Sequence, residues 1–214
     1  DIDPTSIGKN VKVDIPFVGD IQEALAALIP LIVPRERDAW LERIRTDRQT
    51  LEEKLTDGGC GQAGNLIRKI QAAMPRETIV VPDVGLNQIW TVRTWQTHSP
   101  RSLLTSGGMG TMGFSLPAAI GARVGAPDRE VVVICGDGGF YMNIQELATI
   151  SSYGLPIKIV VINNGHLGMI RQIQDLFYDA RFTTSDLGDR GDLTAVAKGF
   201  GVPAERVAVD EDPA

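Results

Sequence analysis

The sequence contains few of the residues that build metal clusters, disulfide frameworks or membrane spans. Its 214 residues include two cysteines, two histidines and no apolar run near the roughly 18 residues that a transmembrane helix needs. The Cys and His residues have neither the spacing of a zinc site nor that of a secreted disulfide scaffold. Cys135 ends the apolar run 131–134, so we expect a buried, reduced thiol. These shortages favour a cytoplasmic protein without a membrane partner.

Positive charge is also in short supply. Lys and Arg total 21 against 27 Asp and Glu, which gives a net charge of −6. The basic residues are scattered, and where they cluster, at 35–54, acids are interleaved with them, as on a solvated helix face. A surface that binds nucleic acid needs a basic patch, so no nucleic-acid partner is expected. A hydrophobic content of 43% is typical of a globular protein.

From residue 64 onward, apolar strands alternate with helical patterns. Strands are predicted at 78–81, 102–105, 131–135 and 157–162, and helices at 66–74, 87–95, 116–124 and 144–153. Strands that are apolar throughout indicate a parallel sheet with helices on both faces. The predicted fold class is therefore α/β with an open parallel sheet, whose ligands lie outside the carboxyl ends of the strands.

The region before residue 64 has a different pattern. Two helical segments, "DIQEALAALIPLI" and "RDAWLERIRTDRQTLEEKL", precede a glycine-rich break at 57–64. We place a domain boundary there, between 1–57 and 58–214. The opening "DIDPTSIGKN" is typical of a strand running into a turn, and the sequence stops just after a strand predicted at 207–209. We therefore expect a fragment of a longer polypeptide.

Two glycine-rich segments are candidate ligand sites. The first, "GGMGTMG" at 107–113, is formally a G-x-G-x-x-G between a strand and a helix, which would suggest NAD or FAD. Such short patterns are common, and both Pro117 near the helix start and the "GDGG" that ends the next strand argue against a dinucleotide fold. This reading stays a minor alternative.

The second segment places an acid among glycines. Gly136, Gly138 and Gly139 leave backbone N–H groups uncovered around Asp137, an arrangement that suits phosphate oxygens. A carboxylate beside a diphosphate requires a cation between them, and Mg²⁺ prefers hard oxygen ligands. Asn164 follows the next strand and can add a neutral oxygen at the same edge. The pair predicts one cation held against one diphosphate.

Gly136-Asp137-Gly138, followed after 24 residues by Asn163-Asn164, resembles the signature of thiamine diphosphate (ThDP) enzymes. Four segments resemble the acetolactate synthase large-subunit branch: "DVGLNQIW" (83–90), "SGGMGTMGFSLPAAIGA" (106–122), "NNGHLGMIRQIQDLFY" (163–178) and "DLTAVAKGFGV" (192–202). The resemblance implies that 58–214 is the C-terminal diphosphate-binding domain and that 1–57 is the end of the central domain with a helical linker.

The resemblance also implies roles for particular residues. Asp137 and Asn164 would be side-chain ligands of Mg²⁺, and His166 would contribute its main-chain carbonyl. Met112 would wedge under ThDP and hold it bent. Residues implied to contact or border the cofactor are Val84, Gly85, Gly110, Met112, Gly136, Asp137, Gly138, Gly139, Asn164, His166, Gly168, Met169 and Ile170. No catalytic residue is implied in this chain, because the family's activating glutamate belongs to the partner subunit of a homodimer or homotetramer.

The implied reaction is decarboxylation of a 2-oxo acid such as pyruvate and its ligation to a second 2-oxo acid. FAD is possible in the full-length protein, and this chain alone is expected to be inactive. Leu86 and Asn87 stand where acetolactate synthases usually have Gln-His, and Ile173 stands where they usually have tryptophan. The alternatives are a glyoxylate carboligase, for which "GLNQI" is more typical, a 2-oxo acid decarboxylase, or a ThDP-binding fragment without turnover.

Overall fold

The structure is a computed structural model that describes residues 1–54, 61–188 and 191–208. It divides into two compact units, Asp1–Glu52 and Glu53–Ala214. Residues 57–60 of the glycine-rich break predicted at 57–64 lie outside the described residues, and so does the last residue of the strand predicted at 207–209. Residues 61–64 are the first residues of a helix, so the break is wrong there. Residues 207–208 are not in a strand.

The first unit is mainly helical and exposed. A 3-10 helix spans Pro4–Ser6, α1 spans Ile21–Leu28 and continues as a 3-10 turn, Ile29–Leu31, and α2 spans Asp38–Lys54. Asp20 caps the start of helix α1, because its side chain accepts hydrogen bonds from the N–H groups of Gln22 and Glu23. None of the described residues of this unit is buried. Every side chain that the structure describes within the mixed-charge segment 35–54 is exposed, as the sequence predicts.

The second unit contains a parallel sheet of three strands in the order β1-β2-β3. They span Ile79–Pro82 (β1), Val131–Gly136 (β2) and Ile157–Ile162 (β3), with Ile79 beside Val131 and Val131 beside Ile157. The helices are Gly61–Ala73 (α3), Leu86–Thr94 (α4), Ser115–Gly125 (α5), Asp137–Met142 (α6), Glu146–Ser152 (α7), Gly168–Phe177 (α8) and Leu193–Gly199 (α9). Two helices lie between each strand and the next, and all three strands run parallel, so their carboxyl ends lie at one edge of the sheet.

Helices cover both faces of the sheet. Ile67 of α3 packs with Val132 and Ile134 on one face. On the other face, residues of α5, α6, α7 and α9 pack with Val131, Val133 and Cys135. Adjacent residues of β2 point to opposite faces and all are apolar, because both faces are buried. The predicted α/β class with an open parallel sheet is confirmed.

Cys135 is completely buried in this core, as expected from the sequence. Burial raises the pKa of its thiol well above the usual value, and the negative charges of Asp83 and Asp137 add to this effect. The thiol is therefore protonated at neutral pH.

Four predicted elements differ from the structure. The opening segment, expected to be the end of a strand, contains the 3-10 helix Pro4–Ser6, and the helix expected at 66–74 begins at Gly61. The strand expected at 102–105 is reduced to a single bridge, in which Val80 and Leu103 pair in parallel. The helix expected at 144–153 begins at Glu146, and a separate helix, α6, precedes it. The glycine-rich segment at 136–139 is thus not an open loop: Asp137 begins α6. Glycine's low helix propensity predicts a loop, but burial of Phe140 in the core stabilises a helical turn here.

None of the helices in the described part of the chain is both long enough and apolar enough to cross a membrane.

Candidate cofactor-binding site

Polar side chains follow all three strands at the carboxyl edge of the sheet. Asp83 follows β1, Asp137 follows the end of β2 and begins α6, and Asn164 lies two residues after β3. The N–H of Gly165 donates a hydrogen bond of 3.1 Å to Oδ2 of Asp137. Gly165 is the residue after Asn164, so this bond joins the two segments that carry the predicted metal ligands.

The Asp137 carboxylate lies in a poorly solvated position, with the residue only 4% exposed. Burial raises its pKa, while the N–H groups of Gly138, Asp137 itself and Gly165 oppose this shift. The three N–H groups only partly offset the loss of solvation. A bound cation would stabilise the charged form further, so the position fits a metal ligand.

The segment after β3 is held by local and cross-chain hydrogen bonds. Oδ1 of Asn164 accepts a bond of 3.0 Å from the N–H of His166. The segment also pairs with residues 185–187, through the N–H of Leu167 to the Ser185 carbonyl and that of Leu187 to the Gly165 carbonyl, both 2.8 Å. Asn164 itself is exposed.

The imidazole of His166 makes no close polar contact through Nδ1. That nitrogen is buried without a hydrogen-bond partner among the residues that the structure describes, and it lies 3.8 Å from Oδ1 of Asp186, beyond hydrogen-bond distance. The backbone of His166 pairs with Asp186 in an antiparallel bridge. The bridge positions the main chain of His166, which is the part of the residue implied as a ligand.

Within residues 1–54, 61–188 and 191–208, no three His, Cys, Asp or Glu side chains form a group that could hold a metal ion by themselves. Asp137 is accompanied at its edge by a carboxamide and main-chain atoms. Such a donor set, with one carboxylate and neutral hard oxygens, fits Mg²⁺ better than a transition metal.

Several predicted cofactor-binding glycines approach side chains at this edge. A Cβ added to Gly138 would lie 2.7 Å from Cδ2 of Leu167 and 3.4 Å from Cε of Met112. A Cβ on Gly168 would lie 2.8 Å from Cδ1 of Leu86 and 3.3 Å from Nδ2 of Asn164. The structure thus brings Met112 to Gly138 and Gly168 to Asn164.

The remaining predicted residues lie in four places. Val84 and Gly85 form the turn into α4, and Gly136 is the last residue of β2. Met169 and Ile170 lie in the first turn of α8, where Ile170 is exposed. Gly110 is in an exposed loop, and a Cβ there would meet no atom of the described residues within 4 Å.

Sequence reasoning did not single out Asp83, and it named Asn87 only as a departure from the family's pattern; both lie beneath this edge. Asp83 is fully buried and Asn87 nearly so. Nδ2 of Asn87 donates to the carbonyls of Asp83 (2.7 Å) and Ile134 (3.1 Å), which ties the ends of β1 and β2 together. Asp83 has the same signal as Asp137, an acid directly after an apolar strand with a glycine close behind, and this signal could have identified it.

Comparison with known families identifies the family to which the chain belongs. The family described as "Thiamine pyrophosphate enzyme, C-terminal TPP binding domain" matches residues 83–214, from Asp83 through both predicted metal-ligand segments. The chain belongs to this family. Thiamine pyrophosphate is ThDP under another name, so the resemblance predicted from the two motifs is confirmed.

Curated relatives agree with this assignment. The chain is 42% identical to a probable acetolactate synthase large subunit of Methanocaldococcus jannaschii, over 97% of this chain and 37% of the relative. It is 42% identical to the acetolactate synthase large subunit of Parasynechococcus marenigrum (97% and 34%) and 38% identical to that of Corynebacterium glutamicum (99% and 36%). The chain thus spans about a third of the length of these relatives.

Proposed function

We propose that the intact protein is a ThDP- and Mg²⁺-dependent carboligase of the acetolactate synthase type. It would decarboxylate pyruvate and join the remaining two carbons to a second 2-oxo acid. The observation that carries this proposal is the buried Asp137 carboxylate, linked through Gly165 to the segment of Asn164. The similarity to relatives named acetolactate synthase supports the choice of reaction.

The proposed Mg²⁺ ligands are the side chains of Asp137 and Asn164 and the main-chain carbonyl of His166. The proposed cofactor contacts are Val84, Gly85, Gly110, Met112, Gly136, Gly138, Gly139, Gly168, Met169 and Ile170. Glycine fits where a diphosphate must approach the backbone, because any Cβ would occupy the same space. At Gly138 and Gly168 the space that a Cβ would take is already filled by Leu167 and Leu86, so packing within the chain also requires glycine at these two positions.

ThDP, when bound, supplies the carbon nucleophile and the electron sink for decarboxylation. This chain's own residues hold and surround it. Met112 and Leu167 present apolar atoms beside Gly138, which excludes water and strengthens the electrostatic contacts at the edge. We assign no proton-transfer residue in this chain. The proposal places the activating glutamate in a partner subunit, so the working enzyme would be a homodimer or homotetramer with its site between subunits.

The domain assignment remains a proposal. We propose that residues 1–57 are the end of a central domain with a helical linker and that 58–214 form the diphosphate-binding domain. The division of the chain between Glu52 and Glu53 supports this boundary. An FAD site elsewhere in the intact protein and a cytoplasmic location complete the proposal.

A glyoxylate carboligase is the second candidate, favoured by Leu86. This apolar side chain lies against Gly168 at the proposed diphosphate site, where acetolactate synthases usually have glutamine. An amide would offer the diphosphate a hydrogen bond that leucine lacks. The shared backbone of the site is compatible with either reaction.

Product analysis of the intact protein tests the proposal directly. With ThDP, Mg²⁺ and pyruvate, acetolactate should form together with CO₂, and removal of Mg²⁺ by a chelator should stop the reaction. Acetaldehyde as the main product would identify a decarboxylase instead. A carboligation product from glyoxylate alone would identify the second candidate, and ThDP binding without any product would indicate a binding module.

The substitution Ile173→Trp tests whether α8 lines the acceptor site. Ile173 lies on α8 and is 41% exposed. A tryptophan there should restore a flat apolar wall and favour the larger acceptor. One methylene is worth roughly 10- to 200-fold in an apolar pocket, so with mixed pyruvate and 2-oxobutyrate the ratio of acetohydroxybutyrate to acetolactate should rise within that range.

The matched control is Asp175→Trp, which adds the same side chain to α8 two residues on, at an exposed position about half a turn away. It should leave the product ratio unchanged. An unchanged ratio in Ile173→Trp, with activity retained, would show that Ile173 does not face the acceptor.

A further inference from the structure

Asp83 is a buried carboxylate that accepts hydrogen bonds from four neutral donors. Its Oδ1 accepts hydrogen bonds from the N–H groups of Val84 (2.8 Å) and Gly113 (2.9 Å). Its Oδ2 accepts from the N–H of Ser115 (2.9 Å) and from the Ser115 hydroxyl (2.6 Å). The residue is fully buried. A charge this buried is costly unless donors saturate it, and these four do so.

The four bonds join parts of the proposed site that are distant in sequence. Gly113 and Ser115 lie 30 and 32 residues after Asp83 and are one and three residues after Met112. Asp83 thereby attaches the segment carrying Met112 to the end of β1. Gly113 is also held from the other side, because Nδ2 of Asn143, the residue after α6, donates 2.7 Å to the Gly113 carbonyl.

The same carboxylate touches the first turn of α6. A Cβ added to Gly139 would lie 2.6 Å from Oδ1 and 2.9 Å from Cγ of Asp83. Only a glycine allows α6 to approach so closely. Asp83 therefore lies between the segment of Met112 and the turn that begins with Asp137, and it sets the distance between the two.

We propose that Asp83 is a positioning residue for the cofactor site, which holds Met112 against the Asp137–Gly139 turn before the cofactor binds. It does not touch the cofactor; it acts through Gly113, Ser115 and Gly139. The inference rests on the proposed function in that ThDP binds at this edge. Ordering these segments in advance removes an entropic cost from binding, so the consequence is tighter ThDP binding.

The chemistry of the position requires a carboxylate. Asparagine at 83 would keep one acceptor oxygen and replace the other by an NH₂ group, which would face N–H donors of Gly113 or Ser115. A glutamate would be one methylene longer and would be driven towards Gly139. Neither variant can accept all four bonds in the observed geometry.

The test compares ThDP binding by the intact protein and its Asp83→Asn variant, measured by titration calorimetry at saturating Mg²⁺ and at a temperature where both are folded by circular dichroism. Losing hydrogen bonds to a charged group should weaken ThDP binding by roughly tenfold or more. Gly139→Ala should act in the same direction, because the added methyl would displace Asp83. Ser115→Ala, which removes only the hydroxyl donor, should give a smaller loss.

Arg129→Gln is the control for a purely structural effect. Nε of Arg129 donates 2.7 Å to the Glu77 carbonyl and Nη2 donates 2.8 Å to the Ser102 hydroxyl, beside the amino ends of β1 and β2. This variant should lower the melting temperature without changing ThDP affinity. Amide hydrogen exchange in the ThDP-free protein adds a second readout: Gly113 and Ser115 should exchange faster in Asp83→Asn but not in Arg129→Gln.

The outcomes separate this inference from the proposed function. If the wild type binds ThDP and Asp83→Asn is merely less stable, with unchanged affinity and exchange at Gly113, the inference is wrong and the proposed function stands. If the wild type binds no ThDP with Mg²⁺ present, both are wrong. Should Asp83→Asn fail to fold, Gly139→Ala and Ser115→Ala decide: wild-type affinity in both overturns the inference.

Discussion

Replacing Asp137 by alanine is expected to abolish Mg²⁺-dependent binding of ThDP to the intact protein. The substitution removes a proposed metal ligand and the negative charge that balances the cation against the diphosphate. Loss of an outer-shell partner typically costs roughly 10- to 100-fold in metal affinity, and loss of a ligand should exceed this. Titration calorimetry with ThDP, in the presence and absence of Mg²⁺, measures the effect.

A charge-matched control distinguishes a site effect from a general one. Asp128 is exposed and lies shortly before β2, at the edge of the sheet opposite Asp137. Asp128→Ala removes the same charge and should leave ThDP affinity at the wild-type value. Unchanged affinity in Asp137→Ala would instead refute the assignment of Asp137 as a metal ligand.

The substitution Gly85→Ala should damage both stability and cofactor binding. Gly85 has φ 145° and ψ −166°, a conformation that is almost confined to glycine. The backbone strain alone should lower the free energy of unfolding by roughly 1–3 kcal/mol. The new Cβ would also lie 2.7 Å from Oδ1 of Asn87, whose amide holds the ends of β1 and β2 together. Urea unfolding and ThDP titration together measure the two effects.

Gly154→Ala provides the comparison for Gly85→Ala. Gly154 also has a positive φ, 57°, but it follows α7 at the amino end of β3, and a Cβ there would meet no atom within 4 Å. Its alanine variant should lose about 1–2 kcal/mol from backbone strain and bind ThDP normally. If Gly85→Ala bound ThDP as tightly as Gly154→Ala, the turn at 84–85 would have no part in the site.

The fold class and the strands were predictable because their signals are local. Runs such as 131–135 are apolar at every position, and a strand buried on both faces requires this pattern. The strand predicted at 102–105 is too long, because this segment pairs with the sheet through a single bridge, between Leu103 and Val80. The sequence does not predict the start of α6, because three glycines within four residues give a low helix propensity. The burial of Phe140, which stabilises the helix, depends on tertiary contacts that a local pattern does not show.

Some residues of the candidate site could be predicted from the sequence, and others could not. Asp137 and Asn164 could be identified because each follows a predicted strand, and parallel strands bring such residues to one edge. The role of Asp83 could not be read from its neighbours, because two of its hydrogen-bond partners, Gly113 and Ser115, lie 30 or more residues away. The contact between Gly139 and Asp83 could not be predicted either, because the sequence suggests only that Gly139 is a phosphate-binding glycine.

The sequence by itself determined the α/β class, the buried strands and the family, because hydrophobic periodicity and the spacing of the Gly136–Gly138 and Asn163–Asn164 motifs are properties of the linear chain. Only the tertiary structure decided which groups meet: that Asp83 joins the segment of Met112 to β1, and that Asn87 joins β1 to β2. The physical reason is that a buried polar group must find its partners wherever packing brings them. Which partners meet depends on how the helices pack on the sheet, and this packing produces no periodic pattern in the sequence.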